Sequence, residues 1–110
     1  MKLDIIKKED ARNNMYKPNV VYFTVDGVQL MLDIVYVKTN ENKFNAFYDG
    51  PYYENVKNYI NKNYNISWNN FCTYFMYKLY KYSRGINLDF EYIQITDDII
   101  KEMEEAKCLI

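Results

Sequence analysis

Asn19-Val20-Val21-Tyr22-Phe23-Thr24-Val25-Asp26-Gly27-Val28-Gln29-Leu30-Met31-Leu32-Asp33-Ile34-Val35-Tyr36-Val37 is the stretch that decides how this chain folds. Two runs rich in β-branched and aromatic residues flank an Asp-Gly pair. Asp-Gly is a favoured pair for a two-residue type I′ turn, in which both central residues need positive φ. Such a turn sets the register: Val25 faces Val28, Phe23 faces Leu30, Val21 faces Leu32, and the same face runs on through Ile34. That face is almost wholly apolar, which predicts the core side of a sheet. The opposite face carries Val20, Tyr22, Thr24, Gln29, Met31 and Asp33, a mixture suited to partial exposure. Asp33 falls across from Val20 on that face; it could be a buried acid, but reads more readily as a solvated acid or as one that discourages edge pairing. Asp26 and Asp49 each precede a glycine and read as turn chemistry.

Outward from the hairpin, Thr39-Asn40-Glu41-Asn42 is a polar turn and Lys43 to Tyr48 reads as a third strand, ended by Asp49-Gly50-Pro51. A third strand matters because an isolated hairpin is marginal in water. A helix is expected near 52–64, with Tyr52, Val56, Tyr59 and Ile60 on its apolar stripe. Ser67 offers an N-cap for a second helix near 68–83, whose stripe is Trp68, Phe71, Cys72, Phe75, Leu79 and Tyr82. Lys78, Lys81 and Arg84 lie toward its C-terminus, where the helix dipole favours cations. Ile86 to Tyr92 alternates cleanly and predicts a strand near 86–95. Thr96-Asp97-Asp98 opens a final helix near 97–107, with Ile99, Ile100, Met103 and Ala106 facing inward. Before the hairpin, residues 3–14 space Leu3, Ile6, Ala11 and Met15 as a short helix would. The expected architecture is one α+β domain spanning residues 1–110. A small antiparallel sheet (hairpin 19–37 plus strands near 43–48 and 86–95) is packed by helices near 52–64, 68–83 and 97–107.

Composition narrows the function classes. The chain has 110 residues, enough for one domain, and is 49% hydrophobic and 26% charged, as globular chains are. Fourteen basic and fifteen acidic residues leave a net charge of −1, without the positive field of a generic nucleic-acid binder. There is no His, which removes Ser-His triads, His metal sites and His acid–base catalysis together. Cys72 and Cys108 form no metal-spacing motif; Cys72 reads as a small buried hydrophobe. Gly27, Gly50 and Gly85 do not cluster, so no phosphate-cradling loop and no nucleotide cofactor is expected. The charged N-terminus has no apolar signal core and no run reaches the length of a membrane span, which points to a cytoplasmic protein with reduced thiols. Abundant Lys, Asn, Tyr and Ile match AT-rich codons, as in a low-GC bacterium or a phage or plasmid living in one.

Two constellations bear on chemistry. Asp89-x-Glu91 places two carboxylates on one strand face, where they could share a divalent cation. A nuclease of the Asp…Glu-x-Lys type needs a lysine at position 93, which is Ile93, so the polar face of a strand is the plainer reading. The second is aromatic. Tyr74, Tyr77 and Tyr80 fall off the apolar stripe of the 68–83 helix, beside Lys78, Lys81 and Arg84. Such tyrosines can simply cover a second layer with their hydroxyls at the surface, but rings among cations also stack on single-stranded nucleic acid, and the same residue types make protein-binding hot spots. If the contact is not there, it falls on the mixed hairpin face around Tyr22, Met31 and Asp33 or on an unpaired strand edge. The leading expectation is a non-catalytic module that binds a protein partner by stoichiometric occupation of its surface, as inhibitors and immunity proteins do. The alternative is a small nucleic-acid-binding or regulatory protein using the Tyr/Lys helix. A third is a metal-dependent hydrolase at Asp89/Glu91.

Overall fold

The Asp26-Gly27 turn takes the conformation its residues favour. Asp26 has φ 48° and Gly27 φ 83°, the paired left-handed geometry of type I′. In the computed structural model, which describes residues 1–9, 19–38, 43–47, 50–82 and 95–110, strands β2 (Asn19–Val25) and β3 (Val28–Lys38) leave this turn antiparallel. Val25 pairs with Val28, Phe23 with Leu30, Val21 with Leu32 and Val20 with Asp33, the register that the turn predicts. Val21, Phe23, Val25, Leu32 and Ile34 are buried, Leu30 is half-buried, and Val28 beside the turn is exposed.

β4 (Lys43–Phe47) pairs antiparallel with the far half of β3, Phe47 opposite Ile34. The other side of β2 is covered by β1 (Leu3–Glu9), giving a four-stranded sheet in the order β1-β2-β3-β4. This corrects, over residues 3–9, the helix expected over residues 3–14, the rest of which lies outside the described residues. Leu3 is buried and Ile5 half-buried, two residues apart on the core face, and they pair with Val25 and Phe23. Period-2 placement therefore governs this segment. The adjacent Ile5-Ile6 doublet had disguised it, because Leu3 and Ile6 also fit a helical spacing.

Three helices cover the core face. α1 (Pro51–Asn63) starts with proline in its first turn, where a missing N–H costs nothing. α2 (Trp68–Tyr82) is capped as expected: Ser67 Oγ accepts from the Asn70 N–H at 3.4 Å. α3 (Asp97–Glu105) begins at Thr96, whose hydroxyl accepts from the Ile99 N–H at 3.3 Å, with Asp97 and Asp98 at the positive end of the dipole. α1 packs on β3, and α2 on β1 and α3. Phe23 and Phe75 meet edge to face at 4.8 Å, a favoured ring geometry. Val56, Ile60, Phe71, Leu79 and Met103 complete the core with them. α1 and α2 are joined by the Trp68 indole N–H, which donates to the Tyr53 hydroxyl at 2.9 Å. The strand expected near 86–95, with Asp89 and Glu91, and the helix end at Gly85 lie outside the described residues.

Asp33 needs a second correction. Of the two settings open to it, the solvated one favoured from sequence does not hold: it is only 9% exposed, and its Oδ1 has no hydrogen-bond partner among the described residues. It lies opposite Val20 in the expected register, and burial pushes its carboxyl pKa up.

Two predictions follow from the sheet. Gly27→Val leaves room for its side chain, since nothing lies within 4 Å of the added Cβ, but forces a β-branched residue to φ 83°. It should cost about 1–2 kcal/mol of stability; an unchanged urea midpoint would remove the turn from the account. Asp33→Val should raise stability at neutral pH by about 1–3 kcal/mol. With its folded pKa raised, Asp33 imposes no charge penalty below the ordinary aspartate range. The penalty grows as pH rises through the folded value and is constant above it. The gain from the substitution should therefore shrink in acid, as read by paired urea melts at acidic and neutral pH. A gain independent of pH would reflect strand propensity alone.

Candidate functional site

One concavity lies beside an irregularity in β1. Its pairing with β2 runs Leu3–Val25, Asp4–Thr24 and Ile5–Phe23, then shifts so that Lys7 meets Tyr22. Ile6 is the extra residue of a β-bulge, a device that re-aims a side chain, and it stands 45% exposed. Beside it opens a groove of about 550 Å³ bounded by β1, β2, β3 and the first turns of α1. Phe23 and Val56, both buried, lie at its floor; Leu30 and Met31 are half-buried; Ile6 and Tyr52 are exposed walls. The Tyr82 hydroxyl donates to the Ile6 carbonyl at 3.0 Å and ties the end of α2 to the bulge.

The charges at the rim satisfy one another. Lys7 Nζ lies 2.8 Å from Glu9 Oε1 and 4.7 Å from the centre of the Tyr22 ring, and the Tyr22 hydroxyl donates to Glu9 Oε2 at 3.3 Å. The hydrogen bond to Glu9 raises the Lys7 pKa, and the same bond lowers that of Glu9. Gln29 and Asn55 add uncharged polar groups to the lining.

A second polar cluster lies at the hairpin turn. Asp26 accepts from the Lys2 N–H at 2.8 Å and from the Tyr64 hydroxyl at 2.5 Å. Burial alone would raise the Asp26 pKa, but these two hydrogen bonds and the Met1 ammonium outweigh it and hold the carboxyl below its usual range. Burial and the bond to Asp26 push the Tyr64 phenol upward. The Met1 ammonium donates to the Glu104 and Ala106 carbonyls at the end of α3. These bonds tie the turn to β1, to the end of α1 and, through Met1, to the end of α3.

Among the described residues no three His, Cys, Asp or Glu side chains are arranged to hold a metal ion. Cys72 is half-buried, and burial pushes its thiol up to about 12, so thiolate is scarce at neutral pH.

The aromatic face of α2 is only partly assembled. Tyr74 was expected on the surface and is 3% exposed, inside the core. Its pKa is raised by burial first, then by Glu104, Tyr77 and Asp4, and its helix packs on both α3 and β1. α2 must seal both the sheet and α3, so its apolar face is wider than the Phe71/Phe75/Leu79 stripe. Tyr77 is half-buried with Lys81 Nζ 4.5 Å above its ring, and Lys78 is half-buried. Tyr80 is exposed. Arg84, the remaining cation of that surface, lies outside the described residues. Met31 and Tyr22, from the mixed hairpin face, do border the groove, whereas Asp33 does not. Ile6, Tyr52 and Asn55 were not singled out as site residues; the Ile5-Ile6 doublet in a charged segment was the available sign of a bulge.

No protein-family model matches this chain, and no curated protein and no solved structure is significantly similar to it.

The two tyrosines at the extremes of this helix face should behave differently. Tyr74→Ala should cost about 3 kcal/mol or more, as truncation of a buried ring does, while Tyr80→Ala should cost less than about 1 kcal/mol. Chemical denaturation of the two variants checks this. Equal losses would mean that Tyr74 is not a core residue.

Proposed function

We propose that this protein is a non-catalytic protein-binding module, cytoplasmic, that acts by occupying a partner's surface in a one-to-one complex, in the manner of inhibitors and immunity proteins of phages, plasmids and low-GC bacteria. The observation that carries this reading is the groove beside the β1 bulge. It joins exposed Ile6 and Tyr52 to a buried apolar floor. Recognition pockets combine apolar and aromatic walls with a few polar groups, and interfaces are anchored where such walls bury a partner's side chain. Filling the groove would remove apolar surface from water at about 25 cal/mol per Å².

The reading as a nucleic-acid binder using the Tyr/Lys helix has less support. Base stacking needs free ring faces, but Tyr74 is buried and Lys81 rests on Tyr77. The net charge of −1 supplies no general attraction to phosphate.

The test is capture from native-host cells followed by titration with the purified partner. The expected result is one protein that saturates at a one-to-one ratio and binds with little dependence on salt. Retention of nucleic acid that falls steeply with salt would overturn the reading in favour of the alternative.

A further inference from the structure

We infer that Asp26-Gly27 is a covalent modification site: when the bonds from Lys2 and Tyr64 to Asp26 open, this pair isomerises spontaneously to isoaspartate, and in the folded chain those bonds hold the reaction off. The step needs only water. The Gly27 backbone nitrogen attacks Cγ of Asp26 and a C–N bond forms. The nitrogen's proton leaves with the carboxyl OH as water, which closes a five-membered succinimide. Water then opens the ring at either carbonyl. Opening at Cγ restores aspartate. Opening at the backbone carbonyl leaves Gly27 joined through Cγ, with the former α-carboxyl free as the side group. Glycine hinders this attack least of the residues that can follow an aspartate, since it has no side chain. Neither the groove nor a partner takes part.

The restraint is visible in the contacts of the carboxyl group. The Lys2 N–H donates to Asp26 Oδ1 at 2.8 Å and the Tyr64 hydroxyl to Oδ2 at 2.5 Å. Ring closure expels one of these two oxygens, so it must give up at least one of the bonds. The departing OH also requires a neutral carboxyl. Burial favours that form, but the two hydrogen bonds and the Met1 ammonium outweigh it and keep the group ionised. Asp26 and Gly27 are themselves exposed, so water reaches the pair whenever the bonds open. The product cannot rebuild the junction. Isoaspartate lengthens the main chain by one carbon, which a two-residue type I′ turn does not accommodate, and it moves the carboxyl away from Lys2 and Tyr64. A chain that stays open long enough to isomerise is left without its turn.

The test is peptide mapping after prolonged incubation at mildly acidic pH. Four samples are compared: folded wild type, wild type in guanidinium chloride, folded Tyr64→Phe and folded Leu79→Val. Isoaspartate at residue 26 is followed by chromatography and mass spectrometry of tryptic peptides. The other Asp-Gly pair, Asp49-Gly50, falls on a separate peptide because Lys38 and Lys43 lie between the two; Asp49 lies outside the described residues. Isoaspartate at residue 26 should form at least about tenfold faster in denaturant than in the folded chain. Tyr64→Phe removes one donor and should speed the folded reaction severalfold. Leu79→Val trims the core without altering either bond to Asp26, and should speed it less at the same fraction folded. Absence of isoaspartate at residue 26 in denaturant would remove the site. Equal rates in folded and denatured wild type would remove the protection, and this comparison decides even where a variant does not fold. A Tyr64→Phe rate no greater than that of Leu79→Val would mean that global unfolding controls the reaction, and would overturn the role given to the Tyr64 bond.

Discussion

The Asp26 carboxylate is the interaction on which the other parts of this structure depend. Its residue occupies a left-handed position of the hairpin turn, and its two oxygens accept from chain segments 24 and 38 residues away, at Lys2 and Tyr64. The Asp26 N–H also donates to the Lys2 carbonyl at 2.8 Å. One side chain thus fixes the hairpin register, the start of β1 and the end of α1. Tyr64 is 2% exposed, and a buried hydroxyl needs a partner, so the fold is constrained from both directions. Asp26's depressed pKa contributes stability above the ordinary aspartate range, and that contribution is lost as pH falls through the folded value. Asp33, whose pKa is raised, acts with the opposite sign.

The groove follows from the same arrangement. Pinning Lys2 to the turn sets Leu3 opposite Val25 and Ile5 opposite Phe23, on the core face. The strand then absorbs one extra residue, Ile6, which stands exposed at the groove wall. α1 begins at Pro51 and reaches its first buried residue, Val56, more than a turn later, so Tyr52 and Asn55 stand at the rim. α2 packs on β1 and α3, with Phe71, Tyr74, Phe75 and Leu79 buried in the core.

Local chemistry made much of this legible in the sequence. The Asp-Gly turn, the pairing of β2 with β3, and the Ser67 and Thr96 caps depend on residues close in sequence, and the structure contains them. What failed depended on distant packing. Leu3 and Ile5 form a strand because β2 offers them partners, which the pattern of residues 3–14 alone does not reveal. Tyr74 is buried because α2 packs on two elements, so a single helical stripe underestimates its apolar face. Asp33 was placed on the correct face and in the correct register, but its desolvation depends on surroundings that the hairpin does not specify. Asp26 was read as a turn former, and its second role became visible only when Lys2 and Tyr64 were brought to it.

The most direct test of the Asp26 junction is a double-mutant cycle of Asp26→Asn and Tyr64→Phe, read by urea denaturation at neutral pH. Asn tolerates the left-handed conformation, so the turn survives while the charge is removed. Tyr64→Phe deletes only the hydroxyl. If Asp26 organises the fold through this contact, the two changes should be coupled by about 1–2 kcal/mol. Losses that simply add would contradict the account and reduce Asp26 to a turn residue.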